Sequence, residues 1–300
     1  MKLVFLGTSG AMPTVDRALT CICLVKDNEI LMFDAGEGAQ ISYLKSGLPW
    51  NKKMKIFVTH LHGDHCIGIL GLLQTMNLQN RTEPIEIFGP DGIDEFLAAN
   101  IKILNFGLSF PVLISRISTG LIVDEKDYSV FANDANHGIP AFSFRFDEKD
   151  RPGEFFPEKA KALEIPEGKL WHELQMGNSI ELNGNQIQSL QVTGDKRPGR
   201  KIGVSGDTRP TDDLVEFFKN CDYLSFDSTF ADELRDKAME ANHSTSKEAA
   251  ELAEKANVST LILTHFSARY HDESVLLEEA QQIHENTIAA KDLLEVDILK

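Results

Sequence analysis

The sequence predicts an α/β fold layered on mixed β-sheets, and three observations predict it. Short β-branched or aromatic runs alternate with helical patterns almost to the end of the chain. The strand runs come in clusters ahead of each helical group, whereas a doubly wound parallel sheet would show one strand per helix. Neither a long-period repeat nor a low-complexity tract interrupts this rhythm.

The elements follow in chain order. The apolar run Leu3-Val4-Phe5-Leu6 is the first strand, and others are expected at 21–26, 30–34, 55–59, 85–88, 130–132, 142–146, 202–205, 223–226 and 261–264. Helical spacing appears at 68–78, 91–104, 212–220, 246–256 and 273–284. Residues 147–177 break the pattern: they are rich in charge, Pro and Gly, with a helical pattern only at 158–163. They read as an arm inserted into a single domain spanning 1–300.

Composition narrows the class. Three hundred residues with 42% hydrophobic and 25% charged content describe a globular chain with a sizeable core. The start lacks the apolar stretch and small-residue cleavage site of a secretory signal, which implies a cytoplasmic protein. No apolar run approaches the roughly 20 residues needed to cross a bilayer, so no membrane span is expected. The four cysteines are too scattered for a disulfide framework, and the Cys21-x-Cys23 pair reads as core filling because no second pair matches it. A net charge of −16 opposes polyanion binding, yet Lys196, Arg197, Arg200 and Lys201 cluster around a Pro-Gly turn.

The strongest chemical signal is Thr59-His60-Leu61-His62-Gly63-Asp64-His65, at the point where an apolar strand gives way to a helical pattern. On an extended segment His60 and His62 point the same way and can bind one ion, while Asp64 and His65 belong to the following turn and can reach a second. Imidazole and carboxylate donors suit zinc, with manganese as the alternative, better than magnesium. Two ions need more ligands, and His137, Asp207 and His265 each follow a predicted strand. Any one of them alone would more often be a capping or surface residue.

Taken together, His-x-His-x-Asp-His followed by lone His, Asp and His at strand ends resembles the metallo-β-lactamase superfamily. The resemblance extends to its ribonuclease Z family through Phe5-Leu6-Gly7-Thr8-Ser9-Gly10, Arg197-Pro198-Gly199-Arg200-Lys201, Gly206-Asp207-Thr208-Arg209-Pro210, Asn242-His243-Ser244-Thr245 and Thr264-His265-Phe266-Ser267-Ala268-Arg269-Tyr270. It implies a four-layer αββα sandwich of two mixed sheets carrying an arm. It further implies two divalent metal ions, one on His60, His62 and His137 and another on Asp64, His65 and His265, with Asp207 bridging them. The activity implied is cleavage of the 3′ trailer from precursor tRNA, by a homodimer whose candidate interface is the apolar surface around 68–78.

The same resemblance assigns roles beyond the metals. Asp64 would orient or deprotonate the attacking water, and His243 would donate a proton to the leaving group. N-cap chemistry around Ser244 to Ser246 is the competing account of the His243 block. The family block His-Glu-x-Thr is matched by Phe226-Asp227-Ser228-Thr229, so Asp227 would back His243 with a carboxylate one methylene shorter. In the loop after the first strand the family's Pro-x-Lys-x-Arg-Asn is matched by Pro13-Thr14-Val15-Asp16-Arg17-Ala18, which keeps Arg17 as an RNA contact. The arm tip Ile165-Pro166-Glu167-Gly168-Lys169-Leu170 offers Gly168 and Lys169, and the basic turn offers Arg197 and Arg200.

His172, His271 and His284 are expected at the surface or on an amphipathic helix, and Trp171 is expected to anchor the arm to the body. Two other functions share these motifs: a phosphodiesterase of the same fold acting on a small molecule or cyclic nucleotide, and a non-catalytic RNA-binding subunit. The acidic net charge favours the first, the arm and the basic turn favour a polynucleotide, and seven filled ligand positions oppose the second.

Overall fold

A computed structural model describes residues 1–299. Met1–Val123, Val130–Phe146 and the chain from Lys201 onward form one compact unit, and Asp124–Ser129 with Asp147–Arg200 form a second.

Two seven-stranded sheets organise the fold. The first runs Glu295–Asp297, Lys2–Gly7, Cys21–Lys26, Glu29–Phe33, Lys53–Phe57, Ile85–Gly89 and Val112–Arg116, in that spatial order. Its early pairs are antiparallel, and from Glu29–Phe33 onward they are parallel. The second runs Thr287–Ala289, Thr260–Thr264, Tyr223–Asp227, Lys201–Val204, Phe142–Glu148, Tyr128–Asp134 and Gly120–Asp124. This is the α/β fold of two mixed sheets that the strand clusters predict.

Side-chain alternation makes each sheet two-faced. Val4, Leu6, Ile30, Met32, Met54 and Ile56 pack in one cluster with Ile69, Leu72, Leu73 and Met76 of the helix Gly68–Leu78. Their neighbours in sequence, Phe33 and Phe57, turn the other way and meet Phe144 of the second sheet at ring distances of 5.9 and 5.6 Å. Leu224, Phe226, Leu261 and Leu263 bury the outer face of the second sheet against Ala249, Leu252 and Ala253 of the helix Ser246–Lys255. Helix, sheet, sheet, helix is the resulting sequence of layers.

The strand expected at 55–59 is Lys53–Phe57, so Thr59 to His62 are extended but outside the ladder. Thr59 accepts the backbone N–H of Phe142 at 2.9 Å instead, tying the end of one sheet to the other. Edge strands Val112–Arg116 and Gly120–Asp124 are absent from the sequence reading because they are half exposed and lack a buried alternation. Helix Ala39–Ser46 also escapes it, being short, polar and flanked by Gly38 and Gly47, both with positive φ.

The second unit has its own small core of Ala160, Ile165, Leu174, Ile180, Ile187 and Val192. Helices Pro157–Ala162 and Lys169–Gln175 and the antiparallel pair Ile180–Leu182 and Asn185–Ile187 supply it. Trp171 belongs to this core: its indole N–H donates to Ile165 O at 2.9 Å and its ring lies 5.2 Å from Phe155. That corrects the expectation that it anchors an arm to a body. His284 is also corrected, since it is buried, with Nε2 2.9 Å from Val258 O and Nδ1 3.3 Å from Thr287 Oγ1.

Candidate active site

The functional side chains gather where strands of both sheets end. His60 and His62 follow Lys53–Phe57, and Asp64 and His65 sit on the short helix Gly63–Cys66. His137, Asp207 and His265 follow Tyr128–Asp134, Lys201–Val204 and Thr260–Thr264, and Asp227 is the last residue of its strand. His265 has φ +64° and Gly206 φ +61°, sharp exits that turn His265 and Asp207 into the centre.

Three overlapping donor groups result, each with its atoms within 4.8 Å of one another: His60, His62 and His137; Asp64, His65, Asp207 and His265; and Asp207, Asp227, His243 and His265. His62 Nδ1 lies 2.9 Å from His60 Nε2 and 3.2 Å from His137 Nε2. Three imidazole nitrogens converging so closely repel unless a cation or proton sits among them. His65 Nε2 and His265 Nε2 each approach Asp207 to 3.2 Å. Those contacts lack hydrogen-bond alignment, and His65 Nε2, Asp207 Oδ1 and His265 Nε2 remain buried without a hydrogen-bond partner among the described residues. Buried, unpaired and convergent nitrogen and oxygen donors fit divalent metal ions.

A surrounding layer fixes which nitrogen each ring offers. His65 Nδ1 is 2.7 Å from Asp34 Oδ2, and His60 Nδ1 is 2.9 Å from Thr59 Oγ1, which itself donates to Asp34 Oδ2 at 2.8 Å. His137 Nδ1 donates to Asn242 O at 3.0 Å, and His265 Nδ1 is 2.9 Å from Thr229 Oγ1. With Nδ1 engaged in these four rings, Nε2 is left with its lone pair. Asp64 is held by the backbone N–H of Ala11, at 2.7 Å from Oδ2.

His243 belongs only to the third group, which shares Asp207 and His265 with the second. Its Nδ1 lies 2.8 Å from Asp227 Oδ2, and its carbonyl accepts from Arg209 at 2.5 Å. Arg209 is paired with Glu248, which also closes a capping box with Thr245 at the start of Ser246–Lys255. The N-cap chemistry and the placement of His243 are therefore one structure, not alternatives.

Electrostatic interaction among these side chains is strong. Burial and the neighbouring His65 push His60 down to about 2. Burial opposes the charge of His65, but the Asp207 and Asp34 carboxylates outweigh it and hold His65 well above the ordinary imidazole value. Asp207 is held well below the carboxylate range, since the facing His265 and His65 outweigh its burial. His243 is raised to about 9 because Asp227 outweighs its burial.

The seven proposed ligands, His243 and Asp227 thus come together. Arg17 does not stand as an RNA contact: it is 6% exposed, bonded to Glu273 at 2.8 and 3.0 Å and to Tyr270 O at 2.6 Å. A guanidinium so engaged has no free face for phosphate. In the second unit Gly168 and Lys169 are exposed at the start of Lys169–Gln175, Gly168 with φ +110°. Arg197 is exposed, whereas Arg200 is gripped by Glu148 with two contacts of 2.8 Å. Asp34 is missing from the sequence reading as a site residue, and Thr59, Thr229 and Arg209 stand there within motifs without a role. Asp34 carried a legible signal, for it follows Glu29–Phe33 at a strand end as the ligands do, with φ +57°.

Comparison with known proteins gives this centre a family. Residues 159–266 match the model of the beta-lactamase superfamily domain, and residues 1–106 match that of the anti-Pycsar protein Apyc1. The crystal structure of human tRNase Z, short form, superposes with a TM-score of 0.74 at 28% identity, covering 100% of both chains. A ribonuclease Z of Methanosarcina acetivorans is 38% identical over 99% of this chain and 98% of its own. Another, from Nitrosopumilus maritimus, is 63% identical over 99% of this chain and 100% of its own, and with that the chain belongs to the ribonuclease Z family of metallo-β-lactamase-fold proteins.

Proposed function

We infer that the chain is a metal-dependent endoribonuclease that removes the 3′ trailer from precursor tRNA and leaves a 3′-hydroxyl on the tRNA. One observation carries the reading: seven metal donors converge beside a histidine backed by a buried carboxylate, in a chain that matches ribonuclease Z relatives over their whole length.

Two divalent cations on these donors, zinc by donor chemistry with manganese as the alternative, would supply Lewis-acid polarisation of the phosphodiester and acidify water. The protein supplies the rest. The Ala11 N–H holds Asp64 Oδ2, the oxygen that faces His65 and His265, so the carboxylate is oriented beside the donors to position the attacking water and take its proton. Burial disfavours the Asp64 charge, yet His265 and His65 outweigh it and keep the carboxylate ionised. Asp227 holds His243 Nδ1, so Nε2 can deliver a proton to the departing 3′-oxygen as the P–O bond breaks. The phosphate then remains on the 5′ end of the trailer.

In this reading the segment 147–177 belongs to a tRNA-binding exosite, and the protein is a cytoplasmic homodimer. Among the described residues no helix is long and apolar enough to cross a membrane. Ile67 just before the helix Gly68–Leu78 and Leu78 at its end, 47% and 80% exposed, support pairing through that helix. Sedimentation at the monomer mass would remove the dimer. Incubation with a 3′-extended precursor tRNA and with a small phosphodiester, with both product ends mapped, tests the activity. A 2′,3′-cyclic end, or turnover of the diester without cleavage of the RNA, refutes it.

A further inference from the structure

His243 is carried by a loop, residues 242–244, that three neighbours hold in place. Asn242 has φ +56°, and its carbonyl accepts from His137 Nδ1 at 3.0 Å. Ser244 Oγ donates to Thr208 O at 2.5 Å. Between these two points the His243 carbonyl accepts from Arg209 Nη1 at 2.5 Å, and the same nitrogen donates to Glu248 Oε2 at 2.7 Å. Arg209 Nη2 completes the fork on Glu248 Oε1.

The backbone of Arg209 belongs to the other side of the centre. Its N–H donates to Asn136 O at 2.9 Å, one residue ahead of His137, and Asp207 lies two residues before it. The guanidinium therefore joins the backbone beside two proposed ligands to the loop that carries His243. Two simpler tasks do not account for it. The helix Ser246–Lys255 is capped without it, since Thr245 N–H donates to Glu248 Oε2 at 3.0 Å and Glu248 N–H donates to Thr245 Oγ1 at 3.1 Å. Buried Glu248 also has a second counterion, Arg235, with Nε at 3.2 Å. What Arg209 adds to these is the bond to the His243 carbonyl. On the outer side of the pair a cavity of about 370 Å³ opens, lined by Arg209, Thr211, Arg235, Glu248, Glu251 and Lys255 among others. Neither His243 nor Asp227 lines it, so the guanidinium is reached from outside without passing through the reaction centre.

We propose that Arg209, braced by Glu248, is a positioning residue for the proton transfer: it sets where the His243 ring stands relative to the metal donors, and hence how far Nε2 is from the departing oxygen. The proposal rests on the reading of His243 as the acid and adds the strut that places it. A guanidinium already fixed by a buried carboxylate is planar and pre-organised, so it holds a carbonyl at small entropic cost. Proton transfer needs heavy atoms within about 2.6–3.2 Å of each other, and a misplacement of about 1 Å can cost about 100-fold. Without the strut the loop stays attached through Asn242 and Ser244, so displacement of His243, not unfolding, is the consequence.

The test uses the full-length, metal-loaded enzyme with two substrates, precursor tRNA and a nitrophenyl phosphodiester whose leaving group needs little protonation. Arg209→Ala should lower kcat on the RNA by about 10- to 100-fold, with KM and metal content unchanged, and barely slow the nitrophenyl diester. In a His243→Ala background the same change should cost nothing further. Millimolar guanidinium, entering by the outer cavity, should restore part of the RNA rate of Arg209→Ala and leave His243→Ala as it is. Arg235→Ala removes the other counterion of Glu248 and should keep the wild-type ratio of the two rates. Glu248→Gln retains the shape of the helix cap, carries the same test if Arg209→Ala melts early, and should show the same split between substrates. Equal loss on both substrates overturns the proposal, as do losses that multiply in the double variant or the same split in Arg235→Ala. Equal loss on both substrates in His243→Ala itself would sink the acid reading, a result distinct from these.

Discussion

Asp227 spans the proposed acid and a proposed metal ligand: Oδ2 lies 2.8 Å from His243 Nδ1, while Oδ1 accepts at 2.6 Å from Thr229 Oγ1, which stands 2.9 Å from His265 Nδ1. The aspartate is shorter by a methylene than the family's glutamate, and it still reaches His243. Its position as the final residue of a strand, with N–H groups of Thr208 and Thr229 each 3.1 Å from its oxygens, sets it close enough.

His243→Ala should retain both metals and slow precursor cleavage by about 10²–10⁴-fold. A diester with a nitrophenolate leaving group needs little protonation, so the loss on it should be much smaller. Equal losses on both would make His243 a binding or structural residue.

In the ion-free protein His243 should titrate at about 9 by NMR, against an ordinary 6.5. Because the folded value is raised, the stability this group contributes is complete below pH 6.5 and is lost as pH rises through about 9. Asp227→Asn removes the opposing charge, leaves burial dominant, and should bring the titration down. An unmoved titration would show that Asp227 does not set it.

Asp207→Ala should abolish two-metal occupancy, since the second donor group loses the carboxylate that faces His60, His65 and His265. Asp34→Asn should leave every ligand in place and still weaken metal binding by about 10–100-fold, because an amide brings a donor against Thr59 or His65 and disturbs their tautomers. Metal titration of both variants measures this, and native affinity in Asp34→Asn would confine that residue to folding.

Arg197→Ala should flatten the salt dependence of tRNA binding by about 0.7–0.9 in the log–log slope, the share of one neutralised phosphate. Arg200→Ala should leave the slope nearly unchanged but cost about 1.5–3 kcal/mol in stability, because it strips a charged partner from half-buried Glu148. A thermal melt and a salt series on each variant separate the two.

Replacing Asp147–Arg200 by a short Gly-Ser link should raise KM for precursor tRNA and spare a small diester, provided metal content is unchanged. The ends to be joined lie on neighbouring strands, Phe142–Glu148 and Lys201–Val204, so the sheet need not open. No proposed ligand falls in the deleted part. Equal loss on both substrates would mean that it shapes the reaction centre.

What the sequence by itself determined was local in origin: strand and helix periodicity, and the habit of placing donors just past strand ends. His60, His62, Asp64 and His65 are legible for that reason, and His137, Asp207 and His265 become so through the repeated placement. Side-chain partnership is a different kind of fact. Arg17 and Glu273 are 256 residues apart, and nothing near Arg17 shows that a carboxylate closes over it. Arg200 reads as a free cation until Glu148, 52 residues away, is beside it. Asp34 becomes a hub only when Thr59 and His65 are brought onto it from 25 and 31 residues away. A charge's chemistry depends on what neutralises and desolvates it, and in these three cases the neighbour arrives through strand pairing and loop packing that only the tertiary structure decides.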